Sequence, residues 1–194
     1  RAFVVDASVA DVFDEGPLMF TGRNLDVAVQ GRGWLAVQLP DGTEAYSRAG
    51  SLDVDVTGLL QTKSGYSVLG DGGPLNIPPD NTIEIAPDGT VSVVSTFGAR
   101  NNASAIGRLK LVNPPEADLV RGSDGLFRLR NGQPAPADER VRVSSGTLEG
   151  SNVNVTDAMV NLISLSRQFE MQMKMLQTAD ANAQRADQMM SMNA

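Results

Sequence analysis

The sequence predicts a mainly β protein: a compact antiparallel β domain followed by one long C-terminal α-helix. Three observations carry this reading. All 19 glycines and all 10 prolines lie at or before Gly150, and residues 151–194 contain neither. Both residues punctuate turns, so their absence lets a helix run uninterrupted. Ahead of Gly150, short strand-like runs follow one another closely with tight-turn signals between them and no helical period. Beyond it, apolar residues recur at alternating spacings of four and three.

Residues 1–20 read as a lead-in, with a strand at Ala2-Phe3-Val4-Val5 and a polar loop through Asp14-Glu15-Gly16-Pro17. The body, residues 21–148, opens with the alternating run Leu25–Gln30, the turn Gly31-Arg32-Gly33 and a strand over Trp34–Leu39. Pro40-Asp41-Gly42 is a turn because proline presets φ and glycine supplies φ > 0. Strands are expected at Tyr46–Arg48, Leu52–Val56, Leu59–Thr62, Tyr66–Leu69, Thr82–Ala86, Thr90–Val94, Gly107–Val112, Gly125–Arg130 and Val141–Val143. Asp-Gly pairs at 41–42, 71–72, 88–89 and 124–125 mark turns between them. Pro78-Pro79 and Pro114-Pro115 mark edges or exits, since proline donates nothing to a central ladder. Gly98–Ala105 and Asn131–Asp138 read as loops.

Residues 149–194 form the third segment, an assembly helix beginning near Asn154, whose side chain can cap it, with Asp157 near the positive helix end. The four-three spacing from Val155 passes through Met159, Leu162, Ser166, Phe169, Met173, Leu176, Asp180, Ala183, Asp187 and Met190. The eight apolar members, Val155, Met159, Leu162, Phe169, Met173, Leu176, Ala183 and Met190, are the candidate assembly residues. Seven of the eight methionines lie in this segment. An apolar stripe with no second helix in the same chain calls for a partner chain.

Composition excludes much. The net charge of -7 is spread, with 13 basic and 18 acidic side chains in residues 1–148 and 3 and 5 in the rest. With no basic patch, nucleic acid and anionic membrane are poor partners. Zero cysteine and zero histidine exclude disulfides, thiolate sites and every histidine-based triad. No apolar run reaches the ~18 residues of a membrane-spanning helix, so no membrane insertion is expected. The chain opens at Arg1 rather than methionine, which reads as a fragment lacking its native N-terminus.

Candidate chemical motifs are weak. Gly70-Asp71-Gly72-Gly73-Pro74 lacks the spacing of a phosphate cradle and reads as a hairpin turn. Asp53, Asp55 and Asp88 could pair as acid and base or ligate calcium, but alternation alone puts such residues on a solvent face. Ser64 and the pair Ser144-Ser145 have no base to activate them. No catalytic, cofactor or metal site is expected.

The segments Thr21-Gly22-Arg23-Asn24-Leu25-Asp26-Val27-Ala28-Val29-Gln30-Gly31, Tyr46-Ser47-Arg48-Ala49-Gly50, Asp88-Gly89-Thr90-Val91-Ser92 and Leu148-Glu149-Gly150-Ser151-Asn152-Val153-Asn154 resemble, in order, the flagellar rod and hook protein family of bacteria. Gly107–Val112, Asp124–Arg128 and Arg167–Lys174 resemble its proximal-rod members most closely, with distal-rod members as near neighbours. The resemblance implies a non-enzymatic subunit that polymerises with the same and neighbouring rod proteins through terminal helices. It also implies residence in the periplasm-crossing rod of the basal body, reached by type III export without a cleaved signal peptide. In the family an N-terminal helix pairs with the C-terminal one, and its absence here would leave the stripe unpartnered. A rival reading is a β-rich module binding cell-wall carbohydrate, which would need exposed aromatics. A wall-cutting hydrolase would need a carboxylate pair in a cleft.

Overall fold

The computed structural model describes residues 12–79, 81–95 and 103–191. The chain divides into two units after Asn152. The first holds strands β1 (Leu18–Phe20), β2 (Val27–Gln30), β3 (Trp34–Gln38), β4 (Glu44–Ser47), β5 (Leu52–Val54), β6 (Leu60–Thr62), β7 (Ser67–Gly70) and β8 (Gly73–Pro74). It continues with β9 (Asn81–Ile85), β10 (Thr90–Ser95), β11 (Ala103–Arg108), β12 (Leu111–Val112), β13 (Leu119–Arg121), β14 (Phe127–Leu129), β15 (Arg142–Ser145) and β16 (Thr147–Glu149). The second unit holds one helix, α1 (Val155–Ser191). Among the described residues every strand pairing is antiparallel, and the protein is mainly β with one C-terminal helix.

The largest sheet runs β13-β14-β4-β3-β7-β6-β5, with β12 added to β3 and β8 to β7. Sheets β11-β10-β9, β15-β2 and β1-β16 complete the body. Strand β3 is buried on both faces: Leu35 joins the main core with Val27, Leu52, Val91 and Val143, while Trp34 and Ala36 join a second cluster with Tyr46, Val112 and Leu119. That double burial is why β3 is a continuous apolar run rather than an alternating one.

Three of the four Asp-Gly pairs build the same local device. Asp41, Asp88 and Asp124 accept hydrogen bonds from the backbone N–H two residues on, at Thr43, Thr90 and Leu126. The following glycines, 42, 89 and 125, take φ of 83, 85 and 80°, which favours residues without a Cβ. Hydrogen bonds from Thr43, Thr90 and Arg128 respectively hold the three carboxyls below their ordinary pKa. At Asp71-Gly72 the pairs Leu69↔Pro74 and Gly70↔Gly73 close the hairpin, the turn the sequence suggests in place of a phosphate cradle.

Several elements differ from the sequence reading. The expected loop Gly98–Ala105 ends in strand, because Ala103, Ser104 and Ala105 pair with Val94, Val93 and Ser92 of β10. Small residues with low strand propensity are recruited there by a long neighbour that needs a partner. The single strand expected over Gly107–Val112 is split, since the chain leaves β10 after Arg108 and joins β3 at Leu111. The alternation of Leu52–Val56 stops at Val54: Asp55 to Gly58 is a turn, and Val56 at its tip is fully exposed. The strand expected at Ala2–Val5 lies outside the described residues, and the lead-in strand that is seen is β1, paired with β16.

Polar groups tie the second cluster together. The N–H of Ala135 donates to the buried Tyr46 hydroxyl at 2.7 Å, anchoring the loop at 131–138. Lys110 Nζ meets Glu44 Oε2 at 2.6 Å. Burial pushes the Tyr46 phenol up to about 12, against the opposing Ala135 N–H. A raised acid pKa means the fold favours the neutral phenol, so this stability is whole below the ordinary value near 10 and is lost as pH rises towards 12. Tyr46→Phe is expected to cost roughly 1–3 kcal/mol at neutral pH, by orphaning the Ala135 N–H. The variant should also lose less stability than the parent between pH 10 and 12; urea titrations across that range check both effects.

Candidate assembly surface

Helix α1 runs for 37 residues, about 55 Å at 1.5 Å per residue. Asn154 caps it as the sequence suggests: its Oδ1 accepts from Thr156 N–H at 3.0 Å, and its carbonyl accepts from Ala158 N–H. No glycine or proline interrupts the ladder.

All eight candidate residues fall within α1. Val155, Met159, Leu162, Phe169, Met173, Leu176 and Ala183 are exposed, the large ones from 43% at Met173 to 69% at Leu162. Met190 lies in the helix, but its side chain is outside those described. On a straight α-helix a seven-residue repeat drifts by about 20° per heptad, so the line through these residues winds slowly around the axis. The four-three line leaves out other apolar groups on the same helix: Val160, Ile163, Leu165, Met171 and Met175 are each more than half exposed. A single register from Val155 does not pass through them, although Val160–Ile163 and Met171–Met175 show helical spacing of their own. Between residues 155 and 176 apolar side chains therefore occupy more than one face of the helix, interspersed with polar ones such as Arg167, Glu170 and Lys174.

The segment that precedes α1 is pinned within the body. Arg48 Nε donates to Glu149 Oε2 at 2.7 Å, and its Nη1 donates to the carbonyls of Gly31 and Gly33. The other Glu149 oxygen accepts from Gly16 N–H at 3.0 Å, and Gly150 N–H donates to Pro17 carbonyl. Asn152 donates to the carbonyls of Val12 and Asp14. A Cβ on Gly16 would overlap the Gly150 carbonyl oxygen, so two backbones cross in contact there. Nothing in the residue order signals that Arg48 and Glu149, 101 residues apart, meet.

Elsewhere the candidate chemical groups serve the fold. Asp53 meets Arg23 at 3.4 Å at the surface, Asp55 accepts from Val56 N–H, and Asp88 builds its turn. Among the described residues no group of three or more acidic residues is arranged to hold a metal ion. Trp34 and Tyr46 are buried, and Phe13, Trp34 and Phe127 pack on each other with centroids 4.7–5.9 Å apart. Phe13, Phe127 and Tyr66 pack partly buried against the core clusters and Phe20 alone of the body's described aromatics is largely exposed, so no row of aromatics forms a sugar platform and the carbohydrate reading is not favoured. Among the described residues no helix is long and apolar enough to cross a membrane.

A β body joined to a long helix that shows its apolar side chains outward is the form of a structural subunit built to associate. Comparison with known proteins agrees. The profile described as flagellar hook protein FlgE/F/G D1 domain matches residues 28–93, and that of the flagellar basal body rod FlgEFG protein C-terminal region matches 144–189. The chain is 47% identical to the flagellar basal-body rod protein FlgF of Escherichia coli and 45% identical to that of Salmonella typhimurium, covering 100% of this chain and 79% of each relative. It is 37% identical to the rod protein FlgG of Bacillus subtilis over 82% of this chain and 63% of that relative. The chain belongs to the flagellar basal-body rod protein family, in its FlgF branch with FlgG proteins as neighbours, and is a structural subunit of the basal-body rod that assembles with other rod components.

Proposed function

We propose that this subunit is held in the proximal part of the rod by packing of α1 against helices of neighbouring subunits, the same or adjacent rod proteins. Val155, Met159, Leu162, Phe169, Met173, Leu176, Ala183 and Met190 form the packing line. Residues 149–194 act as the assembly segment and residues 21–148 as the body that sets spacing and neighbour identity, with 1–20 leading in. One observation carries the reading: a 37-residue helix with large apolar side chains exposed along it. Left in water such a helix is marginal, whereas helix–helix packing buries the apolar area that stabilises it. Identity of 47% and 45% to the FlgF proteins of Escherichia coli and Salmonella typhimurium, against 37% to FlgG of Bacillus subtilis, supports the proximal position. On this reading the protein has no catalytic role, reaches the periplasm-spanning rod by flagellar export without a cleaved signal peptide, and binds neither nucleic acid nor membrane.

The absence of cysteine supplies a clean test. Leu162→Cys introduces a unique thiol on the packing line. In basal bodies isolated from cells carrying this variant, a bifunctional thiol–amine reagent is expected to link it to another rod subunit. Quantitative isolation of the variant in rods with that thiol open to solvent and never linked would rule the packing out.

A further inference from the structure

We propose that Met171, Met173 and Met175 form an oxidation site that switches helix packing off when a peroxide converts their thioethers to sulfoxides; this rests on the packing role of α1 given above. With no cysteine in the chain, methionine is its only sulfur, and seven of eight methionines lie from Met159 onward. Among the described residues none of the buried hydrophobics of the body is methionine. Met171, Met173 and Met175 are exposed by 60, 43 and 66%. In a helix, residues four apart share a face and those two apart point to nearly opposite sides. Met171 and Met175 therefore lie on one side and Met173, on the packing line, on the other. Oxidation changes both sides of the helix within two turns.

The chemistry needs only a peroxide. A sulfur lone pair attacks one peroxide oxygen, the S–O bond forms as the O–O bond breaks, and the departing hydroxide takes a proton to leave as water. Sulfur is oxidised by two electrons and the peroxide is reduced by two. The product is a polar, chiral side chain in place of a flexible apolar one, which disfavours a methionine-rich packing surface, and sulfoxide reductases reverse it. The buried core of the body, built of Val, Leu, Ile, Trp and Tyr, holds no thioether; the body's methionine, Met19 on β1, is 54% exposed and lies outside that core, so its oxidation leaves the core packing intact.

The test has two arms. In the first, the purified chain is treated with hydrogen peroxide and mapped by peptide mass spectrometry. Met171, Met173 and Met175 are expected to gain oxygen within about threefold of the rate of free methionine, as their exposure dictates. The near-ultraviolet signal of Trp34 should stay unchanged over the same interval. Strong protection of these residues, or loss of the body's signal in step with their oxidation, would overturn the proposal. In the second arm, the triple variants M171L/M173L/M175L and M171Q/M173Q/M175Q are each combined with Leu162→Cys and cross-linked in basal bodies. Leucine keeps the side chains apolar, while glutamine imitates the polarity of a sulfoxide and remains a good helix former. Cross-linking is expected to persist with leucine and to fall at least about tenfold with glutamine, the loss that buried polar groups impose. Equal yields from the two variants, high or low, would overturn the switch. Failure of Leu162→Cys to cross-link in the otherwise native protein would instead remove the packing role beneath it.

Discussion

Phe169→Asp, and separately Leu162→Asp, should abolish incorporation into the rod while the β body unfolds at its usual temperature. Both side chains lie on the packing line and are exposed in the isolated chain, by 64 and 69%, so neither substitution disturbs a core contact of the body. In a packed helix interface the same carboxylate must be desolvated against apolar neighbours, which costs several kcal/mol. A loss of about 3 kcal/mol already weakens association by more than about 100-fold. The readouts are swimming in a strain whose only copy carries the change, the amount of subunit in isolated basal bodies, and thermal unfolding of the purified variant. Ser166→Ala, on the same line, should leave all three intact. A motile strain with normal rods and either aspartate would defeat the packing hypothesis outright.

Gly50→Ala is expected to damage the body more than a methyl added at any other glycine among the described residues. Gly50 is buried, its carbonyl accepts from Val27 N–H at 2.9 Å, and a Cβ built on it would overlap the Val27 carbonyl oxygen. The obstacle is backbone, so no side-chain rotation relieves it. Either the contact between β2 and the start of β5 opens or the Asp26↔Ser51 bridge is lost. The cost should be roughly 3 kcal/mol or more, the upper range for overpacking a tight site. For a chain of this size that lowers the melting temperature by roughly 6–12 °C. Gly42→Ala is the informative control: nothing lies within 4 Å of its added Cβ, and only the strain of φ 83° applies. It should cost about 1–2 kcal/mol, the usual penalty for a side chain in the left-handed region. Calorimetry of the two variants side by side checks the order, and an equal or smaller effect at Gly50 would show that the strands part easily there.

The candidate surface was more legible than the body's internal bonding. Phe169 and Leu162 announce themselves because helical periodicity is a local property, written into every third and fourth residue. The same locality left Val160 and Ile163 out, since one periodic line on a helix says nothing about a second one beside it. In the body, the hairpin at Asp71-Gly72 and the turn at Asp41-Gly42 could be read directly, because turn chemistry acts within four residues. The strand at Ala103–Ala105 could not: its residues have no preference for strand, and it forms because β10 offers an unpaired edge.

Residue order and turn chemistry were enough to divide this protein into a turn-rich antiparallel body and an uninterrupted helix, and to single out that helix as the candidate assembly surface. Those features depend on interactions spanning a few residues, and each segment carries them by itself. The folded chain alone revealed that β3 is buried on both faces, that the lead-in strand pairs with Thr147–Glu149, and that Arg48 holds Glu149 ahead of the helix. It also turned Asp26, which the alternating pattern left unassigned, into a buried group held by Arg23 and Ser51. Such contacts join residues up to more than a hundred positions apart. They are selected by packing and by the need to satisfy every buried polar group, and neither demand leaves a periodic trace in the chain.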